Sequence, residues 1–353
     1  MSLKVIKFVA GGGKTTESIN YLQNSKNGIY LAFNNKVVDE ISRKGYLSKT
    51  IDSLFVSFLI PKLISIVPII SPQTCKIEYM NSRDLEGGLK GVSNIHINKD
   101  GKIFNKNHDT GFTLFTKSSD LYTNKNCKNL CFLKKIFCKD KLVLTDTLRA
   151  ELSLYFISNH REKIVYLMES RFPLVIIDEA QDLSNFREEF AKLIAKSKIN
   201  VIVFGDVNQN INGGGEWFDK LTATDTKEES YRCPDDNCKW IRNNLDIKIF
   251  GNLNNGGINK IKISDVKSYD DSKRFLLYSQ NPGKKSLEIE EIIDNWSGPK
   301  STIKKAKGET IESDIVVVGK TLSVKNSYVA LTRTTKTAYI TFNLTKLKKE
   351  IIK

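Results

Sequence analysis

Cysteine, proline and histidine are scarce: six, seven and three in 353 residues. Six cysteines with no export signal do not read as a disulfide framework. They fit free thiols in a reducing, intracellular setting, cytoplasm or nucleus. Seven prolines and 21 glycines exclude collagen-like and other fibrous repeats. His96, His108 and His160 lie far from Cys127, Cys131 and Cys138, whose spacing is not C-x-x-C. Free thiols on a helix therefore explain these cysteines better than a zinc site. Long apolar runs are also missing. Leu54 to Ile70 is broken by Ser57, Pro61, Lys62, Ser65 and Pro68, too interrupted to span a bilayer. Met1 to Ala10, with Lys4 and Lys7 interleaved, reads as a strand rather than a signal peptide. No membrane partner is expected. Acid is short as well: 40 Asp+Glu stand against 55 Lys+Arg, a formal charge of +15.

A surface this basic points to a polyanion, nucleic acid before an anionic membrane. Hydrophobic residues at 40% and charged residues at 27% suit globular cores rather than disorder. The length suggests about two domains. Lys, Asn and Ile abound; their AT-rich codons suggest an AT-rich genome, one that a virus could carry.

The first 55 residues alternate strand and helix: Lys4 to Val9, a loop Gly11 to Gly13, a helix Lys14 to Asn24, a strand Gly28 to Phe33, a helix Lys36 to Lys44. That is a βαβ unit with a parallel sheet. Leu174 to Ile177 and Val201 to Phe204 are continuous aliphatic runs, as central parallel strands covered on both faces should be. Ser71 to Thr145 is polar, weakly periodic and reads as an insertion. A second core after about Thr222 would hold strands at Arg274 to Tyr278, Ile315 to Val318 and Ala338 to Phe342, a helix at Ser286 to Trp296, and a loop at Asn252 to Gly257. The expected fold is α/β: two tandem cores, 1–222 with an insertion at about 71–145, and 223–353.

Ala10-Gly11-Gly12-Gly13-Lys14-Thr15-Thr16 follows a strand and opens a helix, the context a phosphate-binding loop requires. Glycines let backbone N–H groups turn onto phosphate oxygens, and the helix N-terminus adds partial positive charge. Lys14 would meet the β- and γ-phosphates and Thr15 a Mg²⁺. Phe8 stands where the eight-residue pattern has Gly or Ala. Val175 to Asp182, V-I-I-D-E-A-Q-D, is a buried strand ending in two carboxylates. Asp178 would hold the metal and Glu179 polarise the attacking water.

With these motifs the sequence resembles superfamily 1 helicases, most closely the UvrD/Rep type. Ala32 to Val38 resembles that family's strand-contacting F-T-N-K-A-A segment. Thr50-Ile51-Asp52-Ser53 resembles T-x-H-S, with Asp52 for His. Gly205 to Gln209 resembles G-D-x-x-Q, and Tyr231-Arg232 the Y-R box. Thr302 to Gly308 resembles T-x-H-K-A-K-G, with Lys304 for His, and Tyr328 to Arg333 matches Y-V-A-L-T-R. Thr50 to Ser53, Arg232 to Pro234 and Gly308 to Thr310 also resemble helicases of positive-strand RNA viruses, which leaves RNA open.

The resemblance implies two RecA-like P-loop NTPase cores closing on ATP and Mg²⁺ and stepping along single-stranded nucleic acid, DNA favoured, 3′ to 5′, in company with replication or repair proteins. It implies that Gln209 orients water or senses the γ-phosphate, that Arg232 and Arg333 act as arginine fingers, and that Gly308 lies at the nucleotide. Asn34, Asn35, Lys36, Thr50 and Lys304, in a basic run with Lys305 and Lys307, would contact the strand. Trp217 or Phe218 would stack on a base. Nine residues precede Ala10, too few for the Gln segment that reads adenine, and Thr310 stands where a ribose-contacting Glu is usual. About 70 residues separate Arg232 from Thr302, too few for the large accessory insertion of full-size relatives.

Overall fold

The computed structural model describes residues 2–64, 76–79, 95–97, 103–105, 137–138, 141–211, 213–214, 216–270, 272–279 and 286–344. Most of the 71–145 segment, with Cys127, Cys131 and the lysine between them, lies outside them. The chain forms two compact units. One comprises Met1–Lys4, Tyr21–Asp178 and Leu183–Ile202; the other Val5–Asn20, Glu179–Asp182 and Val203–Lys353.

The chain begins with β1 (Ser2–Phe8), α1 (Lys14–Gln23), β2 (Gly28–Ala32), α2 (Asn35–Arg43) and β3 (Ser48–Thr50). The interrupted apolar run is helical: α3 (Ile51–Leu54), a π-helical turn at Phe55–Leu59, then α4 (Ile60–Leu63). Phe55 packs edge-on to Phe186 and Phe190, ring centroids 5.3 and 5.2 Å apart, which buries the run against its own unit. Short strands follow: β4 (Lys76–Tyr79), β5 (Ile95–Ile97), β6 (Ile103–Asn105), β7 (Phe137–Cys138) and β8 (Lys141–Leu144). Cys138 thus ends a strand and not a helix. Then come α5 (Asp146–Asn159), α6 (Arg161–Glu169), β9 (Leu174–Ile177), α7 (Phe186–Ile194) and β10 (Asn200–Gly205). In the first unit β2 lies between β3 and β9, both parallel to it, with Tyr30 opposite Ser48 and Ile176.

The second unit continues with α8 (Glu216–Lys220), β11 (Asp225–Lys227), β12 (Glu229–Pro234), α9 (Asp235–Leu245), β13 (Phe250–Leu253), β14 (Gly257–Lys260), β15 (Phe275–Tyr278), α10 (Leu287–Asn295), β16 (Lys300–Thr302), β17 (Ile315–Val318), β18 (Thr321–Leu322), α11 (Val324–Leu331), β19 (Thr337–Ile340) and β20 (Asn343–Leu344). The expected loop at Asn252 to Gly257 is shorter than its composition suggests, because β13 and β14 take both of its ends. A five-stranded sheet runs β14-β19-β17-β15-β16, every pairing parallel. Alternation along β17 explains its unbroken aliphatic sequence. Ile315 and Val317 join the core with Ile241 and Leu245 of α9 and Tyr328 to Leu331 of α11. Val316 and Val318 pack on the other face with Ile289, Ile292 and Ile293 of α10. The α/β class with parallel sheets is therefore the one the sequence indicates. Among the described residues no helix is long and apolar enough to cross a membrane.

Candidate functional site

The glycine loop lies between β1 and α1 and is held by chain more than 200 residues downstream. The Ala10 carbonyl accepts from Ser230 Oγ at 2.7 Å, and the Ala10 N–H donates to the Tyr328 hydroxyl at 2.9 Å. The Gly11 carbonyl accepts from the Tyr231 N–H at 3.0 Å. Gly11 has φ +72°, and a Cβ there would stand 2.6 Å from Arg232 Cβ. Glycine is needed for both reasons, left-handed backbone and close approach. Gly13 is left-handed too, at φ +83°, and Gly12 between them is buried. Lys14 and Thr15 are half-buried and Thr16 exposed.

Asp178 follows β9 directly. It is buried, its N–H donates to the Leu31 carbonyl at 2.8 Å, and its carboxylate accepts from the Tyr30 hydroxyl. Glu179 has φ +52°, a conformation that costs a non-glycine residue about 1–3 kcal/mol and gathers at functional sites. Its Oε1 lies 2.6 Å from Lys14 Nζ, and its Oε2 accepts from Gln181 Nε2. Burial alone would raise the Glu179 pKa. The ammonium groups of Lys14 and Lys307, with hydrogen bonds from Lys14 and Gln181, hold it instead at about 2.

A buried network extends from this pair. Gln181 Oε1 accepts from the Asp206 N–H at 3.0 Å. Asp206 Oδ1 accepts from the Asn208 N–H at 3.0 Å; its Oδ2 accepts from Gln209 Nε2 and from the Tyr328 hydroxyl, each at 2.9 Å. Burial raises the Asp206 pKa against the pull of Lys14 and these hydrogen bonds. Lys307 Nζ donates to Asp182 Oδ1 at 2.7 Å and to the Gln209 carbonyl at 2.8 Å. Expected in a strand-contacting basic run, Lys307 thus turns inward, while Lys304 and Lys305 stay exposed. Sequence reasoning placed Asp182, Asp206 and Tyr328 inside motifs without giving them work, and missed Ser230 altogether. For Asp206 and Tyr328 a signal was present: a polar group adjoining an apolar run is buried and must find a partner.

Arg333 is 1% exposed. Its guanidinium donates to the carbonyls of Val329 (3.0 Å) and Glu309 (3.4 Å) and to Thr332 Oγ1 (3.1 Å). Burial, then the charge of Arg232, lowers its pKa to about 10; burial also lowers that of Arg232, which is half-buried. Gly308 is exposed at φ +84° with open space around its Cα, so its backbone angle alone calls for glycine.

Asn34, Asn35 and Thr50 come together in the first unit, lining a cavity of about 620 Å³ with Phe33, Asp52, Arg149 and Arg187. Two of the three are helix caps: Asn34 Oδ1 accepts from the Val37 N–H and Thr50 Oγ1 from the Ser53 N–H, both at 3.0 Å. Asp52 pairs with Arg149 at 2.6 Å and takes a two-pronged bond from Arg187 at 2.6 and 2.7 Å. The Arg187 guanidinium lies 5.6 Å from the centre of the Phe33 ring, which is 40% exposed. Lys36 is exposed on the first turn of α2. Trp217 and Lys304 belong to the other unit. Trp217 is half-buried on α8. Phe218 is fully buried, its ring so near Gly205 that a Cβ there would stand 2.6 Å from it, so it is a core residue and not a stacking platform.

No curated protein matches the sequence. Solved structures to which the chain is similar include the helicase of PRRSV (12% identity, 96% of this chain, 52% of that one, TM-score 0.46). They also include arterivirus nonstructural protein 10, a helicase (11%, 96% and 59%, 0.43), and its complex with DNA (10%, 98% and 61%, 0.45). The chain spans 52% to 61% of the length of these proteins. Residues 93–213, which include Asp178, Glu179 and Gln209, match the UvrD/REP helicase N-terminal domain, and the chain is similar to superfamily 1 helicases of that type.

Proposed function

We propose that the chain is a superfamily 1 translocase or helicase that hydrolyses ATP to move along single-stranded nucleic acid, DNA rather than RNA, from 3′ to 5′. The observation that carries this reading is the ion pair of Lys14 and Glu179 at the mouth of a left-handed glycine loop. A cation on the first turn of a helix, below backbone N–H groups, suits the terminal phosphates of a nucleotide. The carboxylate beside it, once nucleotide phosphates take up the Lys14 ammonium, suits a general base for water.

In this reading Gly11, Gly12, Gly13 and Thr16 hold phosphates, and Gly308 lies beside the nucleotide. Thr15 and Asp178 hold Mg²⁺, Gln209 orients the attacking water, and Arg232 and Arg333 stabilise charge on the transferring phosphoryl group. Among the described residues no three His, Cys, Asp or Glu side chains are grouped to hold a metal ion. Magnesium would therefore share its shell with nucleotide phosphates and water, as its preference for few protein carboxylates allows. The cavity at Phe33, Asn34, Asn35 and Thr50 is the strand side of the first core, and the functional cores divide near residue 222.

The test is ATPase measured with and without single strands, together with unwinding of 3′-tailed and 5′-tailed duplexes of DNA and RNA. Strand-stimulated hydrolysis with displacement from 3′ DNA tails is expected. No stimulation by any strand would overturn the reading. A second reading, a strand-stimulated NTPase without unwinding, has one observation in its favour. The stretch between Arg232 and Thr302 is taken up by α9, β13, β14, β15 and α10, core elements that leave no room for an accessory domain. Stimulated hydrolysis with no strand displacement would select it.

A further inference from the structure

We infer that Tyr328 is a positioning residue for hydrolysis: its hydroxyl fixes Asp206, and Asp206 fixes the Gln209 amide. The inference rests on the nucleotide site proposed above and deepens it.

Tyr328 is fully buried on α11, followed by Val329, Ala330 and Leu331, each 0% exposed. A phenylalanine would fill the same space and spare the desolvation of a hydroxyl, so packing alone does not call for tyrosine. The hydroxyl is used twice, by partners far apart in sequence. It accepts from the N–H of Ala10, the residue before the glycine loop, and donates to Asp206 Oδ2, each at 2.9 Å.

Asp206 in turn sets the turn that carries Gln209. Its Oδ1 caps the turn through Asn208 N–H, and its Oδ2 takes the Gln209 amide N–H. An amide has distinct donor and acceptor ends. With Nε2 tied to Asp206, Oε1 is the end left to accept a proton of the attacking water. A Gln209 amide turned the other way would present donors there and repel the water's hydrogens. One phenol therefore sets the start of the phosphate loop and the orientation of the water-binding amide together. This is preorganisation of the site by groups that do not touch substrate.

Tyr328→Phe keeps the ring and removes the two bonds. The expected result is a fall in strand-stimulated kcat of about tenfold, the scale of one hydrogen bond to a charged group, with a smaller loss of nucleotide affinity from the bond to Ala10. A purely structural tyrosine would lower stability without this split. The decisive arm is a double-mutant cycle. In a Gln209→Ala background, already slow, adding Tyr328→Phe should change kcat by less than about twofold, because the residue it positions is gone. Asp206→Asn gives the same loss and the same dependence on Gln209, and serves if the phenylalanine variant folds poorly. Unchanged kcat in Tyr328→Phe, or a full tenfold loss that persists without Gln209, overturns the inference while leaving the nucleotide site intact. A wild-type chain with no strand-stimulated ATPase overturns the site reading and this inference with it.

Discussion

The nucleotide site and the strand cavity are built on opposite principles. Around the glycine loop the polar side chains are buried or half-buried and already engaged with one another: Lys14 with Glu179, Gln181 with Glu179, Asp206 with Gln209 and Tyr328, Lys307 with Asp182. Around the cavity in the first unit the polar groups cap short helices or compensate one aspartate, and an aromatic ring faces solvent. A buried charge without a partner is costly, so the first region is specific and intolerant of change. The second is a surface, where contributions add up and single losses are modest. Substitutions in the two regions should differ accordingly.

The largest effect is expected at Arg333. Arg333→Ala should lower hydrolysis by about 10³, the scale of an arginine finger. Arg333→Lys should not rescue it, since a flexible point charge lacks the planar fork. Three internal acceptors hold this guanidinium, so thermal melting must accompany the rate measurement. A variant folded like wild type and still hydrolysing at the normal stimulated rate would end its assignment. Next comes Lys14→Ala. Loss of the ammonium should cost about 10² or more in turnover, the scale of one transition-state charge contact. Near-normal ATPase would remove the phosphate-loop reading.

Acid probes the same region without mutation. Glu179 titrates at about 2 in the folded chain, against an ordinary value of 4.5. A depressed carboxylate adds stability above its unfolded pKa, and that stability is lost as pH falls through the folded one. Urea midpoints of wild type and Glu179→Gln should therefore differ by a constant amount above about pH 5 and converge between about 4.5 and 2. A gap that stays constant down to pH 2 would show that the Lys14 pairing does not hold the carboxylate.

Much of this was legible in the sequence, for physical reasons. Leu174–Ile177 and Ile315–Val318 are strands with the predicted boundaries, because a run buried on both faces leaves no ambiguity of period. The α/β class and the loop between β1 and α1 followed from the same patterning. What stayed hidden depends on contacts distant in sequence. Nothing near Ala10 says that Tyr328 will hold its N–H, or near Lys307 that Asp182 will claim its ammonium. Local rules also misled. A polar N-L-N-N-G-G stretch looked like loop, yet β13 and β14 reach into it because strand pairing overrides weak propensity. Phe218, next to a half-buried tryptophan, looked available for stacking until the bare Cα of Gly205 let its ring into the core.

The smallest effect is expected in the strand cavity, and a pair of phenylalanines isolates it. Phe33→Ala removes a ring that is 40% exposed, so little core packing is lost and the melting temperature should hold. Stacking on one base is worth about 1–3 kcal/mol, so affinity for single strands should fall by about tenfold, within that range. The strand concentration that half-stimulates hydrolysis should rise with it, while the rate at saturating strand is retained. The salt slope of binding should not move, because no charge is lost. Arg187→Ala should lower that slope by about one if its guanidinium meets phosphate. Phe218→Ala is the control from the other region: the same change at a 0% exposed position should cost about 3–5 kcal/mol of stability. Strand affinity unchanged in Phe33→Ala, measured by fluorescence anisotropy, would show that this cavity is not where the strand lies, however well its helix caps are built.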